Sequence, residues 1–286
     1  MFYSLKEWGR QMLTSKQLQD IKDLQNVCET FEGINLKLNW EMLKKRENDQ
    51  DDFLLYKDNK LIGFLGIYGF GDSYEICGMI HPDSRRQHRF QELLQKALHS
   101  LKSRSVHKLL LNVPGSSASG KGFISQTKAA YDFTEYEMKW NKKDLIPNTD
   151  TVVLRVADEH DIETIIDLDE KCFQIVRSDA QMYTKRLFAE SRSGNLMIMY
   201  GEKTIGKIRV QRMDKKSSIY GFAIFPSFQG KGIGRKALSQ VVMQESKWTD
   251  DIYLDVAATN SKALKLYESS GFQIIYRQDY FQYPIQ

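Results

Sequence analysis

Two stretches half a chain apart carry one pattern. "HPDSRRQHRFQELL" (81–94) aligns with "FPSFQGKGIGRKAL" (225–238), setting Pro82 against Pro226 at a separation of 226 − 82 = 144, each proline twelve residues before a leucine. Upstream, "NKLIGFLGI" aligns with "EKTIGKIRV" and sets Gly63 against Gly206, a separation of 206 − 63 = 143. Downstream, "LLLNV" (109–113) aligns with "IYLDV" (252–256), again at 143, and "YDF" (131–133) faces "SGF" (270–272). Anchors at so constant a spacing mark a duplicated domain. Each copy must close its own core within about 140 residues, an ordinary domain size. The join is expected in "KKDLIPNTD" (142–150), a polar stretch broken by Pro147. That gives a first domain over 1–146 and a second over 147–286.

Each copy reads as mixed α/β. In the second, "TVVLRV" (151–156), "NLMIMY", "KTIGKIRVQRM", "SIYGFAIF" (218–225), "DIYLDVAA" and "QIIYRQDYFQYPI" have the apolar alternation of strands. "ADEHDIETIIDLDEKCF" reads as a helix with Asp158 as N-cap, an acidic first turn and an apolar face of Ile162, Ile165, Ile166 and Leu168. "GKGIGRKALSQVVMQESK" is a helix opening through glycines, and "NSKALKLYESSGF" one closing at Gly271. Strands that mostly neighbour one another in sequence, interleaved with helices, predict a mixed sheet with helices on both faces.

Composition narrows the class. Hydrophobic residues are 41% and charged residues 27%, which suits a chain that buries a proper core. A net charge of +4 is too small an excess to imply nucleic acid and suits an anionic ligand. Cys28, Cys77 and Cys172 are scattered and odd in number, so reduced thiols and a cytoplasmic location are expected. "MFYSLKEWGRQML" lacks the apolar core of a signal peptide. The apolar run at 61–70 is too short for a membrane span and reads as a buried strand. His81, His88, His99, His107 and His160 do not fall at metal-ligand spacing, and no metal is expected.

Gly230, Gly232 and Gly234 stand at alternate positions where a strand gives way to a helix. Glycine there lets the backbone turn tightly and a ligand approach it closely. The first amides of the helix lack intrahelical acceptors, and the macrodipole adds positive potential. Gly230 to Arg235 therefore forms an anion cradle, with Lys231 and Arg235 as nearby charges. The spacing G-x-G-x-G excludes the dinucleotide fingerprint. "GSSASGKG" (115–122) approaches a P-loop but has Gly122 where the magnesium-binding hydroxyl belongs, so it reads as a polar loop leading into a helix.

"QGKGIG" after "FAIFP", followed by "LDVAATNSKALKLYESSGF", resembles the GNAT family of N-acetyltransferases. Gln229 to Gly234 satisfies the family's [Q/R]-x-x-G-x-[G/A] signature, and Asn260, Ala263, Tyr267, Gly271 and Phe272 match its later run. The whole chain is similar to tandem GNAT proteins in which one copy is active and the other has decayed. The resemblance implies that the cradle holds the pyrophosphate of acetyl-CoA on Gln229, Gly230, Lys231, Gly232, Ile233, Gly234 and Arg235. The pantetheine arm would lie along Phe222, Ala223 and Ile224, with Asn260 as a cap or a cofactor contact. In the first copy Arg86, His88 and Phe90 replace the glycines, and Phe123 or Ile124 stands in the place of Tyr267. That copy is expected not to bind coenzyme A in this way, "RRQHR" being a solvated basic helix start.

The implied activity is direct acetyl transfer in the second copy to a primary amine of a small molecule or a peptide. The chain is taken as a monomer with no nucleic-acid or membrane partner. Tyr267 is the expected acid for the leaving thiolate. The base stays open. The position of the family's strand glutamate falls on Ser218, and Asp255, Asp169, Glu170 and a water relay are the alternatives, with Asp167, Asp169 and Glu170 otherwise available to attract a cationic acceptor. Transfer of another acyl group, or a coenzyme A sensor without turnover, are the competing readings.

Overall fold

A computed structural model describes residues 13–46, 50–142, 151–190 and 194–285. In chain order the elements are α1 (Ser15–Glu32), α2 (Trp40–Lys44), β1 (Asp52–Lys57), β2 (Lys60–Phe70), β3 (Ser73–Ile80), α3 (Arg89–Leu101), β4 (Lys108–Pro114), α4 (Ala118–Ile124) and β5 (Ala130–Trp140). The second copy supplies β6 (Val152–Val156), α5 (Ile162–Phe173), α6 (Arg177–Glu190), β7 (Asn195–Tyr200), β8 (Lys203–Met213), β9 (Lys216–Ile224), α7 (Ile233–Glu245), β10 (Ile252–Ala257), α8 (Ser261–Ser269) and β11 (Phe272–Gln282). Residues 143–150, most of the expected join, lie outside the described residues.

The chain divides into two compact units, with the divisions falling inside β5 and β11. Unit 1 comprises residues 1–134 and 276–286, and unit 2 comprises 135–275. In unit 1, β1, β2 and β3 are antiparallel neighbours and β3 runs parallel to β4. The far side of β4 pairs with the end of β11, Tyr280 opposite Asn112. In unit 2, β6, β7, β8 and β9 are antiparallel neighbours and β9 runs parallel to β10. The far side of β10 pairs with the end of β5, Asp255 opposite Glu137.

Helices cover both faces of each sheet. In unit 1, α1 packs Ile21, Leu24 and Cys28 against Phe64, Tyr68, Cys77 and Met79. From the other face α3 packs Leu93, Leu94 and Ala97 against Leu65, Ile67, Ile76 and Leu111. Alternate strand residues feed opposite layers, which is why these strands read as unbroken apolar runs. Unit 2 repeats the plan, with α7 and α8 on a layer containing Ile219, Ile224 and Leu254 and α5 on one containing Met197 and Ala223.

Several elements depart from the sequence reading. The helix expected from residue 157 opens as a 3₁₀ turn at Glu159–Asp161, and α5 proper begins at Ile162. The helix expected from Gly230 begins only at Ile233, because Gly230 and Gly232 sit at φ +75° and +77°. α6 has no counterpart in the sequence reading. Its inward residues, Ala180, Thr184 and Leu187, include two small side chains, while Met182 and Tyr183 point outward, so no apolar stripe advertises it.

The step in repeat spacing from 143 to 144 has a structural cause. β2 and β3 pair without interruption from Gly63↔Ile80 to Phe70↔Ser73. The corresponding β8–β9 ladder shifts register between Lys207 and Arg209, and Gly221 within the shift has φ +54°. One extra residue forms a β-bulge, which bends the strand. The parallel pairing of β9 with β10 runs only from Ser217↔Ile252 to Ile219↔Leu254, and beyond it the two strands diverge.

Candidate active site

The site sits where β9 leaves β10. β9 ends at Ile224, a 3₁₀ turn at Pro226–Phe228 follows, and the cradle opens α7. Gly232 is the N-cap and offers no side-chain cap, so the first amides of α7 have no acceptor. A Cβ built on Gly230 or Gly232 would meet no protein atom within 4 Å, so open space lies above both. The concave backbone, free amides and positive helix end fit a diphosphate, the anionic part of an acyl-CoA.

The remaining cradle residues have defined places. The Gln229 side chain donates its Nε2 proton to the Ile224 carbonyl at 2.8 Å, tying the turn to the end of β9. Lys231 Nζ stands 5.4 Å from the Phe228 ring centroid. Ile233 is a buried core residue, so only its amide is available. A Cβ on Gly234 would touch Leu266, Ile224 and Phe222 at 3.4–3.6 Å, so this third glycine lets α7 approach the sheet and α8. Arg235 donates to the Ser269 hydroxyl at 2.9 Å. Asn260 caps α8, its Oδ1 accepting from the Ala263 amide at 3.1 Å.

Tyr267, on α8, is buried beside Phe222, with ring centroids 6.5 Å apart. Burial pushes its hydroxyl up to about 12, so it stays protonated at neutral pH. Ala223 lies on the opposite face of β9, beneath α5. Ser218 pairs with Tyr253 in the closed part of the parallel ladder, before the strands diverge. Asp255 lies past the divergence on β10, half-buried and opposite Glu137.

The α5 face contributes a pair that the sequence reading did not assemble. Lys207 Nζ donates to Asp169 Oδ1 at 2.5 Å, and both side chains are largely withdrawn from solvent. Asp169 Oδ2 is buried and has no hydrogen-bond partner among the described residues. Burial pushes the Lys207 ammonium down, opposed by the attraction of Asp169. Lys207 is the neighbour of Ala223 across the β8–β9 ladder. One turn on from Asp169, Cys172 donates its thiol to the Ile224 carbonyl at 3.4 Å, and burial pushes that thiol up. Glu170 and Asp167 point elsewhere, both to Arg177, at 3.1 and 2.8 Å. A lone lysine inside "TIGKIRV" was the available signal for Lys207.

Unit 1 repeats this frame with different chemistry. Its 3₁₀ turn at Pro82–Ser84 leads to Arg85, whose Nε donates to the Ile80 carbonyl at 3.0 Å, as Gln229 does to Ile224. Cys28 donates to the same carbonyl at 3.4 Å, as Cys172 does in unit 2. Arg86 and His88 hold φ of +62° and +59°, the conformation of Gly230 and Gly232. Phe90 takes the place of Gly234 and packs edge-on to Phe123 at 4.7 Å. Gly78, where a Cβ would lie 3.0 Å from the Phe90 ring, takes the place of Phe222. Bulk has therefore crossed from strand to helix, and Ile124, which lacks a hydroxyl, has the place of Tyr267, seven residues after the Ser117 cap of α4 as Tyr267 is after the Asn260 cap of α8. Gln25 and Phe64 stand where Asp169 and Lys207 stand. Gln25 Oε1 accepts from Trp40 and its Nε2 donates to Glu29 and to the Leu36 carbonyl.

Known proteins share this architecture. The family model for the GNAT acetyltransferases matches twice, over residues 18–119 and 162–272. A [ribosomal protein bS18]-alanine N-acetyltransferase of Haemophilus ducreyi is 27% identical over 130 residues, 43% of this chain and 90% of that protein. The enzyme of the same name from Escherichia coli K12 is 26% identical over 110 residues, 37% of this chain and 74% of that one. A GCN5-related N-acetyltransferase from Sphaerobacter thermophilus superposes with a TM-score of 0.79 at 15% identity, covering 96% of this chain and 94% of the other. A tandem GNAT protein from the clavulanic acid biosynthesis pathway superposes with a TM-score of 0.71 at 13% identity, covering 95% and 96%. With the family's pattern matched in both halves, the strand frame shared and the glycine cradle present in the second, the chain belongs to the GNAT acetyltransferase family.

Proposed function

We propose that unit 2 is an acetyl-CoA-dependent N-acetyltransferase that moves the acetyl group directly to a primary amine. The observation that carries this reading is the asymmetry between two like frames. The glycine cradle, the phenol of Tyr267 and the Asp169–Lys207 pair all belong to unit 2, and unit 1 has Arg86, His88, Ile124, Gln25 and Phe64 in those places.

Bound acetyl-CoA supplies an activated acyl group on a thiol leaving group. The chain's own residues then have three tasks. The α7 amides from Ile233 onward, with Lys231 and Arg235 nearby, hold the diphosphate. Tyr267 donates its hydroxyl proton toward the departing sulfur, and its raised pKa keeps that proton in place until then. Asp169 receives the acceptor: an N–H of the amine donates to Oδ2, which otherwise leaves a costly buried acceptor unpaired. Lys207 occupies Oδ1 and holds the carboxylate in place.

Amine deprotonation sets how strong a base is needed. A lysine-like amine with pKa about 10.4 costs roughly 4.6 kcal/mol to neutralise at pH 7, whereas a chain-terminal amine near 7.8 costs roughly 1 kcal/mol. The smaller cost favours the second kind of acceptor, the kind named for the bS18-alanine enzymes. Ser218 and Asp255 have no part in this assignment. Cys172 stays a thiol and is a poor nucleophile, which favours direct transfer over an acyl-enzyme. Three unpaired cysteines favour a reducing cytoplasm, and none of the described helices is long and apolar enough to cross a membrane.

The test is an acetylation screen with thiol detection. Acetyl-CoA is offered with an alanine-terminated peptide, a lysine side-chain peptide, a polyamine and an amino acid. Thiol release with the terminal-amine peptide is expected. Release only with propionyl- or succinyl-CoA would replace the acyl group, and tight acetyl-CoA binding with no release on any amine would leave a sensor.

A further inference from the structure

In unit 2 the face of β8 beneath α5 holds more positive than negative charge. Lys207 and Arg209 stand two residues apart on that strand, and β8 keeps regular register with β7 across both, Met197↔Lys207 and Asn195↔Arg209. Their side chains therefore leave the same face of the sheet. Asp169 matches the Lys207 ammonium. Arg209 forms no ion pair with any described residue. Burial is the main cause that pushes the Lys207 ammonium down, and the charge of Arg209 adds to it, so the two cations feel one another. The other acids of α5, Glu163, Asp167 and Glu170, are gathered on Arg177 instead.

Arg209 is part-buried, and the one hydrogen bond it makes among the described residues goes to the Tyr183 hydroxyl of α6 at 3.2 Å. A guanidinium has five N–H donors in a planar fork that suits a carboxylate. Tyr183 accepts one of them and keeps its own O–H to donate. It is 38% exposed, so an incoming molecule can reach it. The face thus has an acceptor without a donor in Asp169 Oδ2 and a cation without an anion in Arg209. Given unit 2 as an N-acetyltransferase with Asp169 as the seat of the amine, we propose that it selects acceptors bearing a carboxylate within one residue of that amine. The amine N–H meets Asp169 Oδ2, and the carboxylate rests on Arg209 and the Tyr183 hydroxyl. Arg209 is then a specificity residue. The carboxylate has two sources, the α-carboxylate of a free amino acid or an acidic side chain beside a peptide's terminal amine.

Two matched pairs of acceptors test it: alanine against alaninamide, and a peptide beginning Ala-Glu against one beginning Ala-Gln. In the full-length protein with acetyl-CoA, the acid of at least one pair should exceed its amide in kcat/KM by about tenfold or more, and the pair that separates identifies the source. Arg209→Gln should bring that ratio to within about twofold. Arg209→Glu should invert it, favouring a peptide beginning Ala-Lys over Ala-Glu. Because each ratio is taken within one protein, a loss of stability does not imitate a loss of selectivity. Should Arg209→Glu not fold, Arg209→Lys keeps the charge and must retain the preference that Arg209→Gln loses. Titration of the same acceptors into protein saturated with coenzyme A reads the ratios as affinities, with no need of turnover. The proposal is overturned if neither pair separates in the wild type, or if the separation survives in Arg209→Gln. Transfer without any preference for the acid overturns it and leaves the transferase standing. Acid-selective binding that Arg209→Gln abolishes, with no thiol released, would uphold the role of Arg209 and remove the transferase.

Discussion

Replacing Gly232 by histidine isolates what the cradle does. The structure contains its own control, because His88 already occupies the matching position at φ +59° where Gly232 has +77°. A Cβ at 232 meets no protein atom, so the fold loses only the cost of a left-handed L-residue, about 1–2 kcal/mol. At about 2–4 °C per kcal/mol for a unit of this size, the melting temperature should fall by roughly 2–8 °C. The imidazole would occupy the space over the first amides of α7. Each hydrogen bond from an amide to a charged group is worth about 1.5–3 kcal/mol. Losing two weakens acetyl-CoA by about 3–6 kcal/mol, a factor of roughly 10²–10⁴. Calorimetric titration of acetyl-CoA into wild type and variant, beside a melting curve of each, reads both effects. A variant that binds acetyl-CoA as tightly as wild type would refute the cradle and the reading of unit 2 built on it. A collapse of the melting curve would show that the histidine at 88 is supported by something absent at 232.

Tyr267→Phe should lower kcat about 10–100-fold while the KM for acetyl-CoA stays within a factor of about two, because the hydroxyl meets sulfur only as the thiolate forms. With the phenol pushed up to about 12, no limb of the pH–rate profile below pH 10 should belong to it. Asp169→Asn strands the Lys207 ammonium and should cost about 3–5 kcal/mol at neutral pH. The folded pKa of Lys207 lies below its unfolded value, so the unfolded state binds more protons between the two and stability rises with pH through that window. Losing Asp169 lowers the folded pKa further and widens the window downward. The variant's deficit should therefore shrink between pH 7 and 10, and a deficit that stays constant in melting curves across that range would sink the argument. Arg86→Gly should raise the melting temperature, the relieved left-handed strain exceeding the added unfolded-state entropy by up to about 1 kcal/mol. A fall would mean that Arg86 makes a stabilising contact.

Much of this protein is legible in one dimension. Alternation and length place β2, β7 and β8, because a strand buried on both faces can only be an apolar run. Gly271, at φ +96° after α8, is where a helix-ending glycine belongs. The cradle is equally local, since a turn into a helix with free amides is made by neighbours in sequence. α6 escaped because small residues form its inward stripe, and the bulge in β9 showed only as a one-residue change in repeat spacing.

The sequence by itself determined a duplicated α/β unit, its mixed sheet and the glycine turn in the second copy, all set by backbone preferences and apolar period over a few residues. Tertiary structure decided which strand completes which sheet. β5 and β11 are alternating strands of equal promise for either edge, and only folding sends the end of β11 to β4 and the end of β5 to β10. It also decided which polar residues meet. Asp169 and Lys207 are 38 residues apart, and their pairing depends on α5 crossing β8. Arg86 and Asn112 line one cavity only because β3 and β4 part between them. A charge is read from the sequence, but whether it is buried, and against what, follows from where the chain comes back to itself.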